Sequence, residues 1–313
     1  MKNKLLAFTR DPAAYREKLL KLSLPDLEIV VAENDSDIQD NIADANIILG
    51  IPWMIKPHLE KAKNLAWLQS SFAGIDAFLE EGLKGDFLLT NVKDTYGQVM
   101  AEYVLAYVLY FEREIEENLA FQKEKIWQQR ESKVLQGKKI CIMGTGSIGK
   151  KIAVAMKFFG CEVYGYRTEN YIVEGFDKIF TPENLSEFLG EADYLVNVLP
   201  LNKDTFELIN RDTIAMMKSS SVFISIGRGA SVNENDLAEA MKEKKISRAV
   251  LDVFKEEPLP PDSPFWSLDN VYITPHVSGY IVSDRIFEIF EKNYQNFLDG
   301  KELIYLIDRE KGY

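Results

Sequence analysis

Three polar residues could do chemistry together. They are Arg228 in Ser225-Ile226-Gly227-Arg228-Gly229, Glu257 in the stretch Leu251 to Pro260, and His276 in Thr274-Pro275-His276. Each follows a short apolar run with the composition of a buried parallel strand. If those strands run parallel, their carboxyl ends share one edge and the three side chains converge there. Histidine exchanges a proton near neutral pH, and a neighbouring carboxylate orients it and favours its protonated form. Arginine grips a carboxylate through two parallel hydrogen bonds and polarises an adjacent carbonyl. With a nicotinamide as hydride carrier, this set would interconvert a 2-keto acid and a 2-hydroxy acid. Singly, each residue has a duller explanation: a surface ion pair for Arg228, a solvated acid in a proline loop for Glu257, a hydrogen-bonded loop histidine for His276. A stretch able to bind the carrier tips the balance toward chemistry.

That stretch runs from Lys138 to Gly149 and on to Phe159. Ile140, Ile142 and Met143 read as a buried strand, while Ile148, Ile152, Ala155, Met156 and Phe159 recur at helical spacing. Gly144, Gly146 and Gly149 stand where strand meets helix. In a dinucleotide-binding turn the first glycine allows the bend, the second lets the backbone approach a pyrophosphate, and the third lets helix and strand pack closely. The N–H groups at the helix start would face the pyrophosphate.

The rest of the chain supplies elements to hold these groups. Residues 5–8, 27–31, 45–49, 65–69 and 87–89 are short apolar runs separated by helical or polar stretches, the rhythm of a parallel α/β domain. The turn Ser70-Ser71-Phe72-Ala73-Gly74-Ile75-Asp76 follows the fourth run, where ligands gather at strand carboxyl ends. From Gln98 a single long helical pattern continues to Leu119, apolar nearly all round at first, as in a helix buried against two surfaces. Strand candidates then recur at 162–167, 193–199, 222–226, 249–253 and 271–274. Thr181 is placed to cap a helix opening at Pro182, and Asn233 to cap residues 234–244. A last helix is expected from Ile281 to Leu298. Because the dinucleotide fold fills the middle, the tail should rejoin the first domain, leaving two crossings, a hinge and a cleft.

Composition bounds the partners. The chain has 313 residues and a formal net charge of -12, which disfavours non-specific binding to nucleic acid or an anionic membrane. Its two cysteines, Cys141 and Cys161, suit buried apolar positions in a reducing compartment and form neither a disulfide framework nor a metal site. No apolar run reaches the ~20 residues of a membrane span, and the first apolar patch is too short for a signal peptide. A cytoplasmic protein is expected.

In order and over nearly the full length, these motifs resemble the D-isomer-specific 2-hydroxyacid dehydrogenase family. The resemblance implies two Rossmann-like doubly wound parallel-sheet domains. One is a flavodoxin-like substrate domain of residues 1–98 and 281–313, the other an inserted dinucleotide-binding domain of residues 99–280. It further implies Arg228 as carboxylate binder, His276 as acid/base, Glu257 as its partner, and Phe72, Ala73 and Gly74 as the substrate loop. The cofactor would be held by Gly144, Thr145, Gly146, Ser147, Ile148, Gly149, Arg167, Thr168, Leu199, Pro200, Thr205, Ile226, Gly227 and Asp252. Met100-Ala101-Glu102-Tyr103 resembles the start of the family's interdomain helix, on which members form homodimers. The closing residues Asp308 to Tyr313 and the Trp127 region are similar to the glyoxylate/hydroxypyruvate reductase A branch.

Two departures refine the expectation. Arg167 and Thr168 stand where an acid would bind the ribose hydroxyls of NAD, so NADP(H) is favoured and NAD(H) remains an alternative. Ser70-Ser71 replaces an arginine that binds phosphate in the family's phosphoglycerate dehydrogenases, so an unphosphorylated 2-keto acid such as glyoxylate or hydroxypyruvate is favoured. An NAD-linked phosphoglycerate dehydrogenase and a non-catalytic dinucleotide sensor are the alternatives; Glu257 disfavours a formate dehydrogenase, whose branch has glutamine there. Trp53 and Trp127 are candidates for the substrate's side-group pocket, against simple core packing.

Overall fold

In the computed structural model, residues 3–78, 86–279 and 284–308 are described. The chain divides into two compact units, Met1–Thr95 with Val282–Tyr313, and Tyr96–Ile281.

The first unit holds a parallel sheet of β1 (Asn3–Phe8), β2 (Leu27–Val31), β3 (Ile47–Gly50), β4 (Trp67–Ser70) and β5 (Leu88–Thr90). Their order is β2-β1-β3-β4-β5, the flavodoxin-like arrangement. The strands β1, β3 and β4 are apolar because both faces are covered, and Leu6, Phe8, Ile48 and Leu68 join one core. The helix Asp284–Leu298 belongs to this unit. Its Phe290 stacks on Trp67 at 5.1 Å between ring centroids, and its Asn293 donates to Gln69 Oε1 at 3.0 Å. The expected start of that helix, Ile281, and the closing residues 309–313 lie outside the described residues.

The second unit has seven parallel strands: β6 (Lys139–Met143), β7 (Glu162–Tyr166), β8 (Lys178–Phe180), β9 (Tyr194–Asn197), β10 (Val222–Ser225), β11 (Arg248–Leu251) and β12 (Val271–Ile273). The order β12-β11-β10-β9-β6-β7-β8 is the dinucleotide-binding arrangement with one further strand. Its direction reverses between β6 and β9, which places the Gly144 turn at the switch point.

Three local expectations are corrected. The long helix is two helices, Gly97–Glu112 and Ile115–Glu124, because Glu114 takes a left-handed φ of 48° that no α-helix accommodates. Thr181 makes no side-chain cap; Pro182–Asn184 is a short 3-10 turn leading into the helix Leu185–Glu191. Asn233 does cap its helix, accepting from Asp236 N, but that helix stops at Lys242. Lys244 there is left-handed, with φ 55°. No helix among the described residues is long and apolar enough to cross a membrane.

Candidate active site

The three polar residues leave the carboxyl ends of adjacent strands. Arg228 follows β10, Glu257 follows β11 and His276 follows β12. His276 Nδ1 lies 2.7 Å from Glu257 Oε2. Glu257 Oε1 accepts from Phe254 N at 3.0 Å, so the carboxylate is fixed by its own loop and aimed at the ring. Burial works to raise the Glu257 carboxyl, but the His276 hydrogen bond, the Phe254 N–H and the charges of His276 and Arg228 outweigh it and hold the group below its ordinary 4.5. Glu257 is therefore an anion at neutral pH. With Nδ1 committed to it, Nε2 is the nitrogen left to face a reacting oxygen.

Gly229 and Asn197 set the position of Arg228. A Cβ on Gly229 would sit 1.9 Å from the Phe254 carbonyl carbon and 2.5 Å from Lys255 N, so the Arg228 loop lies directly against the Glu257 loop. Asn197, wholly buried at the end of β9, donates to Ser231 Oγ at 2.8 Å, and Ser231 Oγ donates to Arg228 O at 2.6 Å. Motif reasoning missed Asn197, Ser225 and Ser231. For Asn197 and Ser225 the signal was a polar residue closing an apolar strand, at the edge where parallel strands present ligands; Ser231, in the short 3-10 turn after β10, carried none.

The glycine turn fits a dinucleotide. Gly144 has φ +106°, and a Cβ on Gly149 would lie 2.0 Å from Gly144 O. Both glycines are therefore demanded by the fold. Gly146 differs: nothing lies within 4 Å of its Cβ position, so the space it leaves is free for a pyrophosphate beside the helix Ser147–Phe158. Thr145 is buried, Ser147 exposed and Ile148 half-buried on that turn.

Arg167 follows β7, one strand beyond the turn, and its guanidinium lies 3.4 Å from the centre of the Tyr171 ring. Its Nε is buried without a hydrogen-bond partner. A guanidinium stacked on one face and unsatisfied at Nε suits an incoming anion. Thr168 beside it is exposed. Across the switch point, Leu199 N donates to Asn197 Oδ1 and Thr205 Oγ1 donates to Pro200 O at 2.7 Å, which folds the loop after β9. A Cβ on Gly227 would lie 2.7 Å from Leu199 O, so this loop packs tightly on the one after β10, where Ile226 is buried. Asp252 is wholly buried. Its carboxylate accepts from Val277 N at 2.8 Å and Ser278 N at 2.9 Å, which ties it to the His276 loop.

In the first unit, Ser70 Oγ accepts from Phe72 N at 3.0 Å and donates to Phe72 O at 2.7 Å, while Asn91 donates to Ala73 O. The Phe72, Ala73 and Gly74 loop is thus shaped by side chains at the ends of β4 and β5. Phe72 packs edge-on against Trp53 at 4.8 Å. Neither candidate tryptophan is core: Trp53 is 43% and Trp127 94% exposed. Cys141 and Cys161 are free and buried. No cluster of three or more potential metal ligands occurs among the described residues.

The sequence profile of the D-isomer specific 2-hydroxyacid dehydrogenase NAD-binding domain matches residues 105–278, more than half of the chain. The chain belongs to the D-isomer specific 2-hydroxyacid dehydrogenase family. It is an oxidoreductase of that family, and its described relatives agree. A glyoxylate/hydroxypyruvate reductase A of Yersinia enterocolitica is 32% identical over 248 residues, covering 77% of this chain and 79% of the relative. A crystal structure of a family protein from Aeromonas salmonicida superposes with a TM-score of 0.95 at 38% identity, covering 99% of this chain and all of that one. The NADPH-dependent glyoxylate/hydroxypyruvate reductase of Sinorhizobium meliloti, solved with NADP and sulfate, gives a TM-score of 0.88 at 27% identity over the full length of both.

Proposed function

We propose that this dehydrogenase reduces a small unphosphorylated 2-keto acid, such as glyoxylate or hydroxypyruvate, to the D-2-hydroxy acid with NADPH. The 2.7 Å pair of His276 and Glu257, one strand from Arg228, carries the proposal. Arg228 holds the substrate carboxylate and polarises the neighbouring carbonyl. His276, protonated and steadied at Nδ1 by the Glu257 anion, gives the Nε2 proton to the carbonyl oxygen as it gains negative charge. A bound reduced nicotinamide would supply the hydride. The glycine turn, Thr145, Ser147, Ile148 and the loops bearing Leu199, Pro200, Thr205, Ile226, Gly227 and Asp252 are assigned to the dinucleotide. Arg167 and Thr168 are assigned to its 2′-phosphate. Phe72, Ala73 and Gly74 are assigned to substrate, their backbone N–H groups as carboxylate donors. The named substrates and NADP of the Yersinia and Sinorhizobium relatives support this reading.

Initial rates with glyoxylate, hydroxypyruvate and pyruvate, each with NADPH and NADH, test it. Turnover should be faster with NADPH, and Arg167→Ala should cut that preference by about 10–100-fold, the worth of one charge-assisted hydrogen bond. Equal rates with both dinucleotides would discard the cofactor assignment, and no turnover with any acid would discard the substrate class. We also propose a cytoplasmic homodimer formed on the helix Gly97–Glu112, which a solution mass of twice 35.8 kDa would support and a monomer mass would refute.

The depressed Glu257 carboxyl sets the acid limb. Such a group contributes to the folded pair above its unfolded value and loses that contribution as the pH falls through its lower folded value. The reduction rate should hold as pH is lowered from neutrality to 4.5 and fall only below it. A kcat profile that drops well above 4.5 in still-folded protein would contradict this.

A further inference from the structure

His276 has a left-handed backbone, with φ 54°. For a residue other than glycine this conformation is strained and persists only when its surroundings enforce it. The enforcement is visible. His276 N donates to Asp252 O at 3.0 Å and to Thr274 O at 3.1 Å. The next two N–H groups, of Val277 and Ser278, each bind one oxygen of the Asp252 carboxylate. Backbone and side chain of Asp252 therefore hold three consecutive residues centred on the reactive loop.

Asp252 is itself held. Thr274 Oγ1 donates to Asp252 Oδ1 at 2.5 Å. Thr274 Oγ1 also lies 2.6 Å from Tyr103 Oη. A hydroxyl has one proton, and Thr274 spends it on the carboxylate, so Tyr103 must be the donor in the second bond. The result is a directional relay: Tyr103 hydroxyl to Thr274 hydroxyl to Asp252 carboxylate to the N–H groups beside His276. Burial pushes the Tyr103 phenol well above its usual range, which keeps the donor protonated. Tyr103 is fixed in turn by the helix Gly97–Glu112 and by the Tyr107 ring, 5.1 Å away.

We infer that Tyr103 is a positioning residue for His276, acting through Thr274 and Asp252 to fix the left-handed turn that aims the imidazole at Glu257. The link to turnover rests on the acid/base role proposed for His276; the link to the ring does not. Without the Tyr103 hydroxyl, the Thr274 oxygen loses a donor at a half-buried position, and Thr274 can rotate away from Asp252. The Asp252 carboxylate that enforces the strained His276 turn then loses one of its supports.

The histidine content makes this measurable. Only two are present, and the other, His58, lies in the first unit. In full-length protein labelled at histidine, a His58→Gln variant assigns the two ring signals. Tyr103→Phe and Thr274→Val are expected to shift or split the His276 ring resonances, including the Nδ1–H shared with Glu257, and to leave His58 unmoved. Both should lower kcat for glyoxylate by about 3–10-fold, as for the loss of one net hydrogen bond. Thr274→Ser, which keeps the hydroxyl, should stay within about twofold of the parent. An unmoved His276 signal in Tyr103→Phe overturns the inference, even if the melting temperature falls. Absence of turnover in the parent protein would overturn the substrate assignment instead, and the ring signals would still decide the role of Tyr103.

Discussion

Replacing His276 by alanine is expected to lower kcat for 2-keto acid reduction by about 10²–10⁴-fold, the usual worth of a positioned general acid. The dissociation constant for NADPH should change little, because the glycine turn and Arg167 lie across the switch point from β12 and the backbone bonds that tie the His276 loop to Asp252 do not use the His276 side chain. The fold should hold too: the His276 ring is more than a third exposed and contributes little to any core. The substitution also strips Glu257 of its partner, so part of the loss comes from a half-buried carboxylate repelling the developing charge on the carbonyl oxygen. Single-turnover rates beside a fluorescence titration of NADPH would separate the two quantities. Wild-type kcat in His276→Ala would remove the residue from the mechanism, and lost NADPH binding would place it in the dinucleotide site instead.

Gly229→Ala should be nearly as damaging, though its methyl touches no reacting atom. The new Cβ would meet the Phe254 carbonyl carbon at 1.9 Å and its oxygen at 2.1 Å, both backbone atoms that no rotamer change can move. The loops carrying Arg228 and Glu257 must therefore separate. Overpacking of this kind costs about 1–3 kcal/mol, equivalent to about 3–10 °C in melting temperature for a unit of this size. A displacement of about 1 Å between Arg228, proposed to hold the carboxylate, and Glu257, proposed to steady the imidazole, should cost about 10²-fold in rate. Thermal melts and initial rates on Gly229→Ala test both effects. Unchanged values would mean that the two loops do not meet as described.

Particular residues show what the sequence made legible. The apolar runs of β6, β9, β10 and β11 could be recognised because strands covered on both faces have little polar content, and a polar residue straight after such a run marks a strand end. Hence the sequence alone ranges Arg228, Glu257 and His276 along one edge. The break at Glu114 was hidden, since nothing in the composition of residues 111–117 announces a left-handed glutamate. The β8 strand was missed because Lys178-Ile179-Phe180, at the edge of the sheet, puts only two apolar residues beside a charged, exposed one. Thr181 carried a cap signal that a competing 3-10 turn overrode. Tyr103, Thr274 and Asp252 lie far apart in sequence, and their relay exists only once the helix Gly97–Glu112 is packed beside β12. Asp252 illustrates the limit best: its position after β11 points to the ligand edge, but which N–H groups its carboxylate binds depends on how the His276 loop folds back over β11.

The strand order also bears on how this enzyme can change. From the end of β7, which carries Arg167, to the end of β10, which carries Arg228, are three strand spacings, or about 14 Å across the sheet. Residues that far apart contribute nearly independent free energies. With the roles proposed for Arg167 and Arg228, dinucleotide preference and keto-acid chemistry are separate heritable traits within one domain. A lineage could exchange one dinucleotide for the other by substitutions around Arg167 and Tyr171 without re-optimising the proposed acid, the turn that aims it or the proposed carboxylate clamp.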